Sequence, residues 1–94
     1  TSAASVVVLP EAEEFDVVVK LSDWQGYYEK EKLWPDSVKI EREGDHWLFK
    51  VRTCGVYWLK RWVMSLGKEA EVLEPEWLRA EMRAEAEIMA AIYQ

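Results

Sequence analysis

An α+β domain built on one antiparallel sheet is what these 94 residues predict, and three observations carry it. Apolar residues alternate with period two along Phe15 to Leu21, Val38 to Ile40 and Trp47 to Val51, the pattern of half-buried strands. Between and after these runs the apolar spacing lengthens to that of helices. Finally, Glu43-Gly44-Asp45 separates the second and third runs as a tight turn, because Gly44 is free to take a positive φ, and this makes the two runs a hairpin.

Taken in order, Thr1 to Glu14 reads as a linker or tail. It is rich in small residues, carries a short apolar patch (Val6, Val7, Val8, Leu9) and is cut by Pro10 before three glutamates; the patch is either an edge strand or the end of a preceding domain. The folded domain occupies residues 15–94. In its first strand Phe15, Val17, Val19 and Leu21 alternate with Asp16, Val18 and Lys20. Ser22 or Asp23 offers the N-cap oxygen of a short helix with Trp24, Tyr27, Tyr28 and Glu31 at helical spacing, which Gly26 weakens. Leu33-Trp34-Pro35-Asp36 breaks it, since the residue before a proline is pushed out of the helical region.

Val38 and Ile40 alternate with Lys39 and Glu41 in the second strand, and Trp47, Phe49 and Val51 with His46, Leu48, Lys50 and Arg52 in the third. Thr53 is the expected N-cap of a helix in which Val56, Leu59, Val63 and Leu66 form the inward stripe, and Gly67 is its C-terminal cap. Ala70 and Val72 alternate with Glu71 and Leu73 in a fourth strand. Pro75 is expected at the first position of a last helix running to Ile92, with Glu74 and Glu76 favourably placed at its positive end. Strand, helix, strand, strand, helix, strand and an extra helix, closed by right-handed crossovers, make a ferredoxin-like βαββαβ sheet with an additional C-terminal helix. Parity places Phe15, Val17, Val19, Val38, Ile40, Trp47, Phe49, Val51, Ala70 and Val72 under the helices. The opposite face then holds Val18, Lys20, Lys39, Leu48, Lys50, Arg52 and Leu73.

Composition narrows the function. Six Trp, four Tyr and two Phe supply too much apolar surface for an intrinsically disordered chain, and no uncharged run approaches the roughly 18 residues of a membrane span. One cysteine, Cys54, excludes an internal disulfide and a cysteine-based zinc site, and one histidine, His46, excludes a two-histidine metal site. With no basic region ahead of an apolar stretch, a cytoplasmic location is expected. The net charge of −6 argues against DNA binding by this chain alone. Most of that charge sits at the ends: residues 15–74 are nearly neutral.

No catalytic constellation emerges. His46 stands beside a turn, with Asp45 next to it in sequence, and Cys54 at a helix start is more often a packing residue. Paired glutamates lack the glycine-centred alternating loop of a calcium site. The chain is therefore expected to be non-enzymatic, without metal or cofactor. The open sheet face is more informative: Val18, Leu48 and Leu73 form an apolar row that needs a cover, either the last helix or a partner chain. Ile88, Met89 and Ile92 on that helix complete the candidate interface. The same face carries Lys20, Lys39, Lys50 and Arg52, a candidate site for an anionic effector, although Val18 and Leu48 stand where RNA-recognition domains of this topology place stacking aromatics.

The stretch Tyr57-Trp58-Leu59-Lys60-Arg61-Trp62-Val63-Met64-Ser65-Leu66-Gly67, followed by Val72-Leu73-Glu74-Pro75 and Leu78-Arg79, resembles the C-terminal extension, or WCX domain, of bacterial WYL-domain transcriptional regulators. Members typically read L-x-R-W-[IVL]-[LM]-S-[FL]-G, then V-x-V-[LV]-x-P-x-x-L-R, then a closing helix. The resemblance covers roughly Phe15 to Tyr93. It includes Trp34-Pro35-Asp36-Ser37, which is like the family's tryptophan–proline step into the hairpin, although the histidine common between those two residues is absent here. The resemblance implies a part of a regulator in which a winged helix-turn-helix reads DNA, a WYL domain senses a ligand, and the extension contributes dimerisation and coupling. The implied partners are a second copy and the WYL and winged helix-turn-helix domains of the parent chain, with DNA reached only through that parent and no membrane.

Overall fold

The computed structural model describes residues 13–94, so the Val6 to Leu9 patch lies outside the described residues. The elements are β1 (Phe15–Ser22), α1 (Asp23–Lys30), β2 (Val38–Glu43), β3 (His46–Thr53), α2 (Val56–Leu66), a 3₁₀ turn (Gly67–Glu69), β4 (Ala70–Glu74) and α3 (Glu76–Ile92). The strands form one antiparallel sheet in the order β2-β3-β1-β4. This is the ferredoxin-like βαββαβ arrangement with a helix added at the C-terminus.

Strand parity decides which residues are dry. Val17, Val19, Leu21, Phe49, Val51 and Val72 are buried, with Phe15, Val38, Ile40, Trp47 and Ala70 packed around them. These lie on the face that the alternation assigns to the helices. α2 adds Leu59 and Val63, α3 adds Leu78, and Trp34, Trp62, Leu66 and Met82 close the periphery. Gly44 takes φ +61° in the hairpin and Gly67 takes φ +61° after α2, so each does the conformational work its position requires.

Two local expectations change. Thr53 ends β3 instead of capping α2: its Oγ1 accepts the Gly55 N–H at 2.9 Å, and Gly55 itself precedes Val56. A Thr side chain closing a short turn on the backbone competes with a cap two residues later. Pro75 is the N-cap of α3, one position before the first helical residue. Of the two cap candidates for α1, Ser22 serves, its Oγ accepting the Gln25 N–H at 3.2 Å.

The helix α1 buries Gln25, Gly26 and Glu29 and turns Trp24, Tyr27 and Tyr28 to water. Gly26 explains the close approach, because a Cβ there would overlap the Trp47 ring at its stem, which cannot swing away as a flexible side-chain tip could. Gly26→Ala should therefore destabilise the domain by about 1–3 kcal/mol through overpacking, despite alanine's better helix propensity. Urea denaturation checks this, and a stabilised variant would mean that Trp47 is free to move.

The final helix is anchored at one end only. Leu78 is fully buried, the Arg79 guanidinium donates to Glu71 Oε2 (2.7 Å) and to the Val72 carbonyl (2.9 Å), and Lys60 Nζ on α2 donates to Glu81 Oε1 (3.0 Å). From Arg83 to Ile92 every residue is exposed. The distal half of α3 thus leaves the apolar row of the sheet uncovered.

Candidate interaction surfaces

The outer sheet face is a charge-compensated surface. Leu48 lies between Lys20 on β1 and Glu41 on β2, and Val18 lies beside Lys50. Leu73 is the extra residue of a bulge, because Val72 and Glu74 pair with the adjacent Val19 and Val18. Val18, Leu48 and Leu73 are each half-buried, and the cross-strand neighbours of Val18 and Leu48 are charged residues. Lys50 is bound to Glu41 at 3.0 Å, and Arg52 to Asp16 at 3.0 Å and Glu14 at 3.5 Å. Lys20 faces Glu71 across the β1–β4 ladder, while Lys39 stands directly opposite Lys50. The four cations therefore sit on one face but are interleaved with carboxylates, among them Asp16, Glu41 and Glu71. At the end of this face His46 bridges Asp45 (3.1 Å) and Glu43 (3.3 Å), and its hydrogen bond holds the Asp45 carboxyl below the ordinary carboxylate value.

The remaining candidate interface residues lie elsewhere. Ile88, Met89 and Ile92 occupy the projecting half of α3, at 59%, 45% and 68% exposure. They are separate from the sheet row, so the six candidate interface residues make two surfaces. Beside the projecting helix runs an open cleft of about 760 Å³ between α2, β4 and α3. Its apolar lining comes from Val63, Met64, Val72, Met82, Met89 and Tyr93. Of the bare side chains on this helix, Met89 lines the cleft, whereas Ile88 and Ile92 are not part of its lining.

A family model for the WCX domain matches residues 13–90, nearly the whole described chain. The chain belongs to the WCX domain family. The comparison with curated proteins finds no match. In this WCX domain the residues that carry the family resemblance mostly build the frame. Trp62 packs on Phe49 (ring centres 4.5 Å apart) and on Trp34 (5.5 Å), and Trp34 Nε1 donates to the Glu29 carbonyl at 2.9 Å, tying the end of α1 to the start of the hairpin. Gly67 turns the chain into β4, and Leu78 and Arg79 seat α3. Among the described residues no three His, Cys, Asp or Glu side chains gather as a metal site requires, and no helix is long and apolar enough to cross a membrane.

Sequence reasoning missed two features of the WCX domain. The cleft needs Met64, Met82 and Tyr93 from two helices, and nothing in their spacing signals that they share a wall. The outward aromatic stripe of α1 had a visible signal in Gly26, a residue suited to the close-packed side of a helix.

Proposed function

We propose that this WCX domain is a non-catalytic regulatory element of a WYL-type bacterial transcriptional regulator, pairing two protomers and coupling effector sensing to a DNA-binding winged helix elsewhere in the parent chain. The observation that carries the pairing is α3, riveted at Leu78, Arg79 and Glu81 yet bare at Ile88, Met89, Ile92 and Tyr93. A helix that keeps four large apolar or aromatic side chains in water beside an apolar cleft gains from burying them against a copy of itself, because a two-fold contact serves both copies at once. Membership of the WCX family supports the same reading. Effector binding in a neighbouring domain would act by favouring one arrangement of the pair, so the coupling lies in differential affinity for two arrangements.

Sedimentation of the isolated chain over a concentration series tests this. A reversible dimer is expected, and Ile88→Glu or Ile92→Glu should weaken it by about tenfold or more, since each buries a carboxylate. Leu48→Glu, on the sheet face, should leave it intact. A monomer at every concentration would overturn the pairing. The alternative, an effector-sensing domain that binds an anionic small ligand or single-stranded nucleic acid on its open sheet face through Lys20, Lys39, Lys50 and Arg52, requires breaking the Lys50–Glu41 and Arg52–Asp16 pairs first. Binding through those side chains would be strongly salt-dependent and lost on joint Lys50→Glu and Arg52→Glu substitution.

A further inference from the structure

The outward side of α1 is the second unpartnered surface, and its chemistry differs from that of α3. Trp24, Tyr27 and Tyr28 stand at i, i+3 and i+4 on the side opposite Gln25, Gly26 and Glu29, and are 67%, 59% and 53% exposed. They line an open cleft of about 570 Å³ together with two carboxylates, Asp23 and Glu31. The Trp24 ring lies parallel to Tyr28 (centres 5.5 Å apart, planes within 7°), which leaves its other face available.

The ring faces here already gather positive charge. Lys30 Nζ sits 4.9 Å from the centre of Tyr27, Lys32 Nζ 4.8 Å from Tyr28 and the Arg42 guanidinium 5.2 Å from Trp47. Each of those cations is also ion-paired within the chain, with Glu31, Glu29 and Asp23 respectively. Asp23 and Glu31 nevertheless keep 59% and 65% of their side chains exposed. Electron-rich ring faces beside half-free carboxylates favour a cation, and tryptophan is the strongest such ring. The net charge of −6 extends the preference to the approach of a partner.

We propose that the Trp24–Tyr27–Tyr28 cleft is a docking site for a basic segment of a protein partner, with an arginine or lysine side chain seated on the free face of Trp24 beside Asp23, and Glu31 at the far end of the cleft. A guanidinium suits it best, since it stacks flat on the indole while donating to the Asp23 carboxylate. The site is independent of protomer pairing, because α1 packs on β1 and β3 whereas α3 packs on β4.

The test titrates the 94-residue chain with the capped pentapeptide Gly-Arg-Leu-Arg-Gly and with its citrulline counterpart, which keeps the shape and removes the charge. Indole N–H signals in NMR are the readout, with the Trp24 signal identified by Trp24→Phe. Saturable movement of the Trp24 signal is expected, with the citrulline peptide about tenfold weaker and binding falling as salt rises. Trp24→Ala, and separately Asp23→Asn with Glu31→Gln, should abolish or strongly weaken it. Unmoved Trp34 and Trp62 signals would report that each variant is folded. Equal binding of the citrulline peptide, an unchanged response in Trp24→Ala, or no saturable response would overturn the proposal. So would displacement of the peptide by single-stranded oligothymidine, since that would make the surface a nucleic-acid platform.

Discussion

Phe49→Ala is expected to remove about 3–5 kcal/mol of folding stability, a large part of what a small domain possesses. Phe49 is fully buried on the central strand β3, opposite Val19 on one side and Ile40 on the other. Its ring meets Trp34 edge-on at 5.0 Å and Trp62 at 4.5 Å, so one side chain joins the sheet, α2 and the segment after α1. Truncation leaves a void among rings that cannot collapse into it without giving up their mutual geometry, and the cavity adds to the lost transfer free energy. Urea unfolding should show a midpoint shifted strongly downward, and near-UV circular dichroism should lose intensity as the tryptophans lose their fixed orientation. Trp58→Ala is the contrast. Trp58 lies 6.4 Å from Trp62 at the exposed end of this cluster and should cost far less. A loss below about 1 kcal/mol for Phe49→Ala would mean that the aromatic cluster does not hold the domain together.

The elements legible in the sequence are those whose local pattern and burial agree. The strands were readable because Val17, Val19, Leu21, Phe49 and Val51 alternate with residues that water tolerates, and one buried face permits only one parity. Gly44 and Gly67 mark positive-φ positions that composition alone points to. The orientation of α1 was not legible, because Trp24, Tyr27 and Tyr28 at i, i+3 and i+4 have the spacing of a core stripe. What reverses the helix is tertiary: the Trp47 ring fills the space over Gly26, leaving room only for a helix side without bulk there. Ile88, Met89 and Ile92 lie exposed on the distal half of α3. Their separation from Val18, Leu48 and Leu73 depends on where α3 is riveted, through Arg79 to the Val72 carbonyl and Lys60 to Glu81, and such long-range pairings have no periodic signature.

Glu29 provides the second large effect, and its size depends on which partner of an ion pair is changed. The Glu29 side chain is 1% exposed, accepts from Gln25 Nε2 at 2.7 Å through Oε2, and has Lys32 Nζ 3.2 Å from Oε1. Oε1 has no hydrogen bond of good geometry, so Lys32 is the charge that makes the buried carboxylate tolerable. Lys32 itself keeps 46% of its side chain in water. Lys32→Met should therefore cost about 3 kcal/mol, because it strands a carboxylate away from solvent. Glu29→Gln should cost about 1 kcal/mol or less: the amide oxygen still accepts from Gln25, and the lysine left behind is solvated. In the Lys32→Met background the same Glu29→Gln substitution should be stabilising, a reversal that a double-mutant cycle by urea denaturation would display. Equal and small losses for both single variants would mean instead that water reaches Glu29 when Lys32 leaves, and that the polar side of α1 is held by packing against Trp47 rather than by the pair.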